Sequence, residues 1–289
     1  MREVVATSEW EGVIGDSTWR VLQGDACSVL ANLPDESVDC IVTSPPYYSL
    51  RDYEVEGQLG LELEVEEYVG SLTKVFIEAR RILKPEGLCF LNIGDTYYSG
   101  KGRSHGTDKK SSKRRFGLRP VDRSGGLGDN VSRKSLIGIP SRVSLDLVRS
   151  GWTLRSTIIW HRDKALPEAV TDRPRRSYEF VYMFSKSRFY YFDRRPLIEQ
   201  NVDEDVWTIN PRTTNESKLK TAPYPEELVD RILSIGCKPG GVVLDPFVGS
   251  GTTMFAAARN GFSSIGIDLH PECCAYSAQR LDSLSKENY

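Results

Sequence analysis

Apolar residues along this chain follow two rhythms. Short runs rich in Val and Ile at 19–23, 38–43, 88–93, 153–160, 242–244 and 264–267 predict buried strands. Spacing of three and four residues sets in over 64–83. There Val65, Tyr68, Val69, Leu72, Val75, Phe76, Ala79, Ile82 and Leu83 share one face of a predicted helix. Further helices are predicted at 27–33, 141–149, 226–235, 252–259 and 271–284. Residues 178–184 and 188–192 predict two paired strands turning at Ser185-Lys186-Ser187. Strands alternating with helices predict an α/β fold, a doubly wound and mostly parallel Rossmann-like sheet, in one domain over 1–289. Residues 97–140, rich in Gly, Ser and Lys/Arg, follow neither rhythm and are expected to form a mobile insertion. Much of 197–221 is also polar and irregular.

Composition changes the picture little, but charge placement changes it. The 289 residues suffice for a full core, and the net charge of −2 gives no sign of a polyanion partner. The stretch 101–134, however, carries eleven Lys or Arg against three Asp, which lets an acidic protein present one cationic face. A second basic set includes Arg162, Lys164, Arg173, Arg175 and Arg176. Such runs are equally ordinary solvated surface. No apolar run approaches the roughly 18 residues of a membrane span, and the acid-bearing start is no signal peptide. The six cysteines lack metal-site spacing and several lie in apolar runs, so buried free thiols, no metal and a cytoplasmic setting are expected.

Candidate chemistry sits after two of the predicted strands. Thr43-Ser44-Pro45-Pro46-Tyr47 leaves one, and Asp245-Pro246-Phe247-Val248-Gly249-Ser250-Gly251-Thr252-Thr253 leaves another. Both are loops at carboxyl ends, where ligands gather in open α/β sheets. The glycines allow backbone to approach a small cofactor, and helix-start amides with Thr252 or Thr253 favour its carboxylate. Asp268 ends the next strand, about 20 residues on, where an acid accepts ribose hydroxyls. A P-loop lacks its Gly-Lys-Ser/Thr, and Met254 replaces the third glycine of a nicotinamide site. The rigid Pro45-Pro46 with Tyr47 suits a planar polar group, so the pair of loops suggests group transfer to a flat substrate. In isolation each motif is also a plain turn.

The two motifs together resemble the amino-methyltransferases of DNA, and their order resembles the permuted β group of that family. The likeness runs from about residue 21 to 281. It includes Gly24-Asp25-Ala26, Leu91-Asn92-Ile93-Gly94-Asp95, Ile158-Ile159-Trp160, Arg173-Pro174, Tyr178-Glu179-Phe180 and Ala222-Pro223-Tyr224-Pro225. The resemblance implies S-adenosylmethionine held by Asp25, Pro223, Tyr224, Asp245, Phe247, Gly249, Gly251, Thr252, Thr253 and Asp268. It implies a catalytic group of Ser44, Pro45, Pro46 and Tyr47. Asp25 would reach the adenine amine of the cofactor, although a helix N-cap is its other reading. The family's histidine before the Pro-Tyr-Pro segment is replaced here by Lys220-Thr221.

A conjugated base amine is a poor nucleophile. Ser44 Oγ and the Pro45 carbonyl, accepting its two N–H bonds, would draw it toward tetrahedral geometry, with Tyr47 stacked on a flipped-out base. Direct displacement at the sulfonium carbon then follows. No cysteine directly follows a proline, which argues against cytosine C5 chemistry. The serine leans the expectation to cytosine N4, with adenine N6 as the alternative, since Asp-Pro-Pro-Tyr is commoner there. A DNA-binding protein with an inactive core, or an RNA or protein methyltransferase, are readings from other classes. Duplex DNA is the implied partner, touched by Lys113, Arg114, Arg115, Arg175 and Arg176, with 162–221 as the candidate recognition region. A cognate restriction endonuclease is the other partner the resemblance allows. Asp52 and Asp95 lie near strand ends and either orient Ser44 or the base, or merely cap loops.

Overall fold

A computed structural model describes residues 6–100, 120–123, 131–163, 168, 170–211, 219 and 223–287. In chain order the elements begin with β1 (Ser8–Ile14), β2 (Ser17–Gln23), α1 (Ala26–Leu30), β3 (Val38–Thr43), α2 (Val65–Ile82) and β4 (Leu83–Ile93). After one 3₁₀ turn come α3 (Ile139–Arg149), β5 (Thr153–His161), β6 (Tyr178–Ser185), α4 (Arg195–Glu199) and β7 (Val206–Thr208). The chain then runs through α5 (Glu226–Gly236), β8 (Val242–Asp245), α6 (Thr252–Arg259), β9 (Ser263–Asp268) and α7 (Pro271–Glu287). Among the described residues, nine strands form one sheet in the order β1-β2-β9-β8-β3-β4-β6-β5-β7. Strands β1 and β6 run against the rest.

The period-2 alternation of the central strands builds a core on each face. Ile41, Cys89, Leu91 and Ile93 point to the side covered by α1, α2 and α3. Cys40, Val42, Leu88 and Phe90 point to the side covered by α5 and α6. Helix α2 buries the predicted stripe, from Val65 through Tyr68, Leu72 and Phe76 to Ile82. It starts with a reciprocal capping box between Glu64 and Glu67. The doubly wound, mostly parallel sheet therefore matches the expectation.

Four local expectations do not hold. Residues 188–192 form no strand, because β6 already has β4 on one edge and β5 on the other, leaving no edge to pair. That segment instead crosses the sheet end, where Tyr191 N donates to Glu86 O (2.9 Å) and Asp193 N to Ile235 O (2.9 Å). Strand β4 begins at Leu83 rather than 88, and its pairing with β3 shifts register between Val38↔Leu83 and Cys40↔Leu88. Pro85 sits in that irregular stretch, where a missing N–H is tolerated. Strand β1 was not expected, since SEWEGVI has no continuous apolar run and interleaves two Glu with its apolar residues. It is an edge strand, and Gly12 leaves room for the Trp19 indole, which a Cβ there would meet at 2.6 Å. Within 197–221, expected to be irregular, Leu197 belongs to α4 and β7 adds a short strand beside β5.

Asp95 shows how a loop carboxylate organises an element distant in sequence. Helix α3 starts after Gly138, whose φ of +80° carries no capping side chain. Asp95 supplies the cap, accepting from Gly138 N (3.0 Å), Ile139 N (3.1 Å) and Thr96 N (2.8 Å). The capping reading of Asp95 is therefore the one the geometry carries, and its side chain does not orient Ser44. Asp95→Ala is expected to lower stability by about 1–2 kcal/mol, the ordinary cost of a lost cap, while leaving ligand affinity unchanged. Denaturant unfolding and calorimetry on the same variant check both halves.

Candidate active site

Strands β3 and β8 are neighbours, yet the chain leaves them in opposite directions. Strand β3 leads through α2 to β4 on one side, and β8 leads through α6 to β9 on the other. The crevice outside such a switch point is where an open α/β sheet binds ligands. A cavity of about 510 Å³ opens there, and both sequence motifs line it. Ser44, Pro45, Pro46 and Tyr47 form one wall; Phe247, Gly249, Ser250, Thr252 and Asp268 lie on the other side, with Pro223 and Tyr224 also at its edge.

A buried carboxylate joins the two walls. Asp245, 3% exposed, accepts from Thr43 Oγ1 (2.6 Å), the last residue of β3, and from the Phe247 amide (3.0 Å). Its other oxygen accepts from Thr253 Oγ1 (2.5 Å), and Tyr224 OH shares its one proton between that oxygen (3.3 Å) and Thr253 Oγ1. Burial pushes the Asp245 carboxyl up to about 6, against the lowering effect of its Thr253, Thr43 and Phe247 donors.

The glycine loop is held from behind by α7. Ser277 Oγ donates to Gly249 O (2.9 Å), and Arg280 donates to Ser250 O (2.7 Å) while pairing with Glu226 (3.1 Å). Gly251 has φ +80°, and a Cβ there would meet Ser277 Oγ at 2.8 Å, so both conformation and space require glycine. Asp268 accepts from Gly249 N (2.8 Å) and His270 N (2.8 Å), and burial raises its carboxyl above the usual range. Two hydroxyls facing this cavity, Ser250 Oγ and Thr252 Oγ1, are buried without a protein partner among the described residues. Buried polar groups rarely stay unpaired, so these orphans fit a polar ligand in the loop.

On the opposite wall, Tyr47 OH donates to Glu179 Oε2 (2.6 Å) and lies 3.2 Å from Asn92 Oδ1. Ser44 Oγ stands 3.4 Å from the same phenol oxygen. Glu179 is also paired with Arg162 (2.9 Å). The Tyr47 ring lies on Gly94, where a Cβ would meet it at 2.7 Å. Burial and the Glu179 carboxylate push the Tyr47 phenol well up, so it remains a donor.

Residues 38–279 match the N6_N4_Mtase family, described as DNA methylase. The chain belongs to this DNA methylase family. M.Cfr9I, a Type II methyltransferase of Citrobacter freundii, is 40% identical over 267 residues, covering 90% of this chain and 87% of the relative. The solved PvuII DNA methyltransferase (cytosine-N4-specific) shares the fold with a TM-score of 0.70 at 20% identity, covering 93% and 92% of the two chains. TTHA0409 of Thermus thermophilus, solved with S-adenosyl-L-methionine, gives a TM-score of 0.63 at 26% identity, with 91% and 93% covered.

The remaining expected site residues of the methylase scatter. Asp25 lines the cavity while N-capping α1, accepting from Ser28 N (2.9 Å). Asp52 accepts from Glu54 N (2.8 Å) within its own loop. Arg175 is exposed, whereas Arg176 is tied to Glu168 (3.2 Å) and to the Asp95 carbonyl, beside Tyr97. Lys113, Arg114 and Arg115 lie outside the described residues. Sequence reasoning gave Arg162 only a place in a basic set and at the start of the candidate recognition region 162–221, and assigned no individual role to Thr43, Asn92, Glu179, Ser277 or Arg280. Their positions near predicted strand ends or on a helix face were visible, but their pairings were not. Among the described residues no cluster of His, Cys, Asp or Glu could hold a metal, and no helix is long and apolar enough to cross a membrane.

Asp245 gives the apo methylase a pH signature. A carboxyl raised above its unfolded value destabilises the fold when ionised, on the order of 3 kcal/mol for a shift from 3.8 to about 6. That penalty is full above about 6 and fades as pH falls through it. Asp245→Asn keeps the shape and an acceptor, and the Thr253 and Tyr224 hydroxyls can rotate to accept from the new amide. The wild type is expected to gain stability relative to Asp245→Asn between pH 7 and pH 5 in paired thermal melts; parallel curves would disprove the assignment.

Proposed function

We propose that this DNA methylase transfers a methyl group from S-adenosylmethionine to the exocyclic N4 of cytosine in duplex DNA, as a member of the permuted β group. One observation carries the reading: the Ser-Pro-Pro-Tyr motif and the glycine loop line a single cavity at the switch point. When bound, the cofactor supplies a methyl group on a sulfonium centre open to direct displacement. The unpartnered Ser250 and Thr252 hydroxyls would hold its methionine end, with Asp268 as acceptor for ribose hydroxyls and Asp25 near the adenine amine.

The chemistry of the chain lies in the acceptor wall. Ser44 Oγ and the Pro45 carbonyl accept the two hydrogens of the target amine and free its lone pair from the ring. Because the Ser44 hydroxyl neighbours the Tyr47 phenol, its own proton can point there and leave a lone pair for the amine. The target leaves the duplex at a cost of a few kcal/mol, offset by stacking and hydrogen bonds in the cavity. The serine of the motif and the cytosine-N4-specific PvuII neighbour support cytosine over adenine. Basic residues of 101–134, with Arg175, position the phosphates, and 162–221 reads the sequence. A cognate endonuclease is the proposed partner, since M.Cfr9I is named a Type II methyltransferase.

Methylation of unmodified genomic DNA by the purified protein, followed by nucleoside mass spectrometry, should yield N4-methylcytosine; N6-methyladenine would overturn the base assignment. Ser44→Ala is expected to cut the single-turnover rate by roughly 10- to 1000-fold with cofactor affinity intact, as for one hydrogen bond made mainly in the transition state. A near-normal rate removes Ser44 from the mechanism. Asp268→Ala should do the reverse, weakening cofactor binding about 10-fold or more while saturating cofactor restores the rate. Unchanged affinity in calorimetry would refute the ribose assignment.

A further inference from the structure

The acceptor wall contains a cation that the proposed chemistry has not used. Arg162 lines the same cavity as Ser44, Tyr47, Asn92 and Glu179. It is connected to Ser44 by a chain of polar contacts: Ser44 Oγ to Tyr47 OH (3.4 Å), Tyr47 OH to Glu179 Oε2 (2.6 Å), and Glu179 Oε1 to Arg162 Nη1 (2.9 Å). The guanidinium lies near the Trp160 ring, 6.0 Å from its centroid. Its Nε is buried with no hydrogen-bond partner among the described residues. Glu179 therefore anchors one corner of a five-donor group and leaves other donors unspent at a ligand cavity. A single acceptor would use only one of these donors, whereas an edge with two adjacent acceptors uses two.

The two candidate target bases differ in this respect. Beside the amine, cytosine carries two adjacent acceptors, N3 and O2, whereas adenine carries N1 followed by an apolar C–H. We propose that Arg162 is a specificity-determining residue of the target pocket, donating to N3 and O2 of the flipped cytosine while Ser44 and Pro45 hold its amine. The proposal rests on the methyl-transfer reading above. A guanidinium presents two parallel, coplanar donors on separate nitrogens to adjacent acceptors; with adenine one of them faces a C–H and stays unpaired. Glu179 has a distinct part. Its carboxylate fixes the plane of the guanidinium and offsets its charge, so the cation does not oppose the positive charge that the base gains on methylation. The serine of the motif and Arg162 then divide the work: one activates the amine, the other selects the base that carries it.

The test compares paired duplexes built on the site mapped from methylated genomic DNA, identical except that the target is cytosine or adenine. For Arg162→Met, single-turnover kcat/KM on cytosine should fall roughly 10- to 100-fold, the range for losing a bidentate base contact. Activity on the adenine duplex should change less than about threefold, so the cytosine-to-adenine ratio collapses. Cofactor affinity by calorimetry should match the wild type. An equal loss on both duplexes, or no loss on either, would overturn the proposal. If Arg162→Met does not fold, Arg162→Lys, which keeps the charge without the planar fork, must still lower the ratio, and an unchanged ratio overturns it. Failure of the underlying reading is separate: wild-type protein that forms N6-methyladenine, or no methylated base, on genomic DNA refutes it without any variant.

Discussion

The hydrogen bond between Thr43 and Asp245 is the constraint on which the site depends. It joins the last residue of β3 to the last residue of β8, two strands that are neighbours in the sheet and 202 residues apart in the chain. Strand pairing brings their ends together, but pairing alone leaves the loops beyond them free to splay. The carboxylate stops this by also accepting from Phe247 N and the Thr253 and Tyr224 hydroxyls, so that a strand end, a loop and α6 share one anion. Burying an anion is unfavourable, and the raised Asp245 carboxyl is the visible sign of that cost. Four donors converging on one residue offset it.

From that anchor the two walls take different physical forms. The proposed cofactor wall is backbone held by side chains: Ser277 and Arg280 fix carbonyls of the glycine loop, and Asp268 binds one of its amides. The proposed acceptor wall is side chains held by side chains, with Tyr47, Asn92, Glu179 and Arg162 in one polar chain. A wall of backbone suits a ligand that is always the same. A wall of side chains can be altered one residue at a time, which suits the half of the reaction where family members differ.

Much of this was legible in the sequence, for stated reasons. The stripe of α2 and the alternation in β3 and β4 follow from burial, so they appear as periodicity. The two motifs could be placed at strand ends because glycine, proline and β-branched residues mark where strands stop. The sheet order let them meet. What stayed hidden depends on partners. Residues 188–192 look like a strand, yet β6 has no free edge for them. Strand β1 has no continuous apolar run because an edge strand needs only a partner and one aromatic neighbour, here Trp19 beside Gly12. Glu179 and Arg162 appear as ordinary charges until β5 and β6 bring them beside Tyr47.

The strand order β2-β9-β8-β3 also has a consequence for how the molecule is made. The two strands between β2 and β3 are β9 and β8, which are translated after every other strand of this sheet. Until they arrive, β2 and β3 have no connecting ladder, and β3 presents an open edge of unpaired amides and carbonyls. The middle of the sheet is translated after its flanks. Long-range parallel pairing of this kind is slow, since chain closure must precede any gain from contact. The cofactor loop, the Asp245 anchor and the α7 buttress are all in that late-arriving piece. The two-walled cavity cannot form before these strands pair, and a nascent chain lacking them has the Ser44–Tyr47 wall with no glycine loop opposite it.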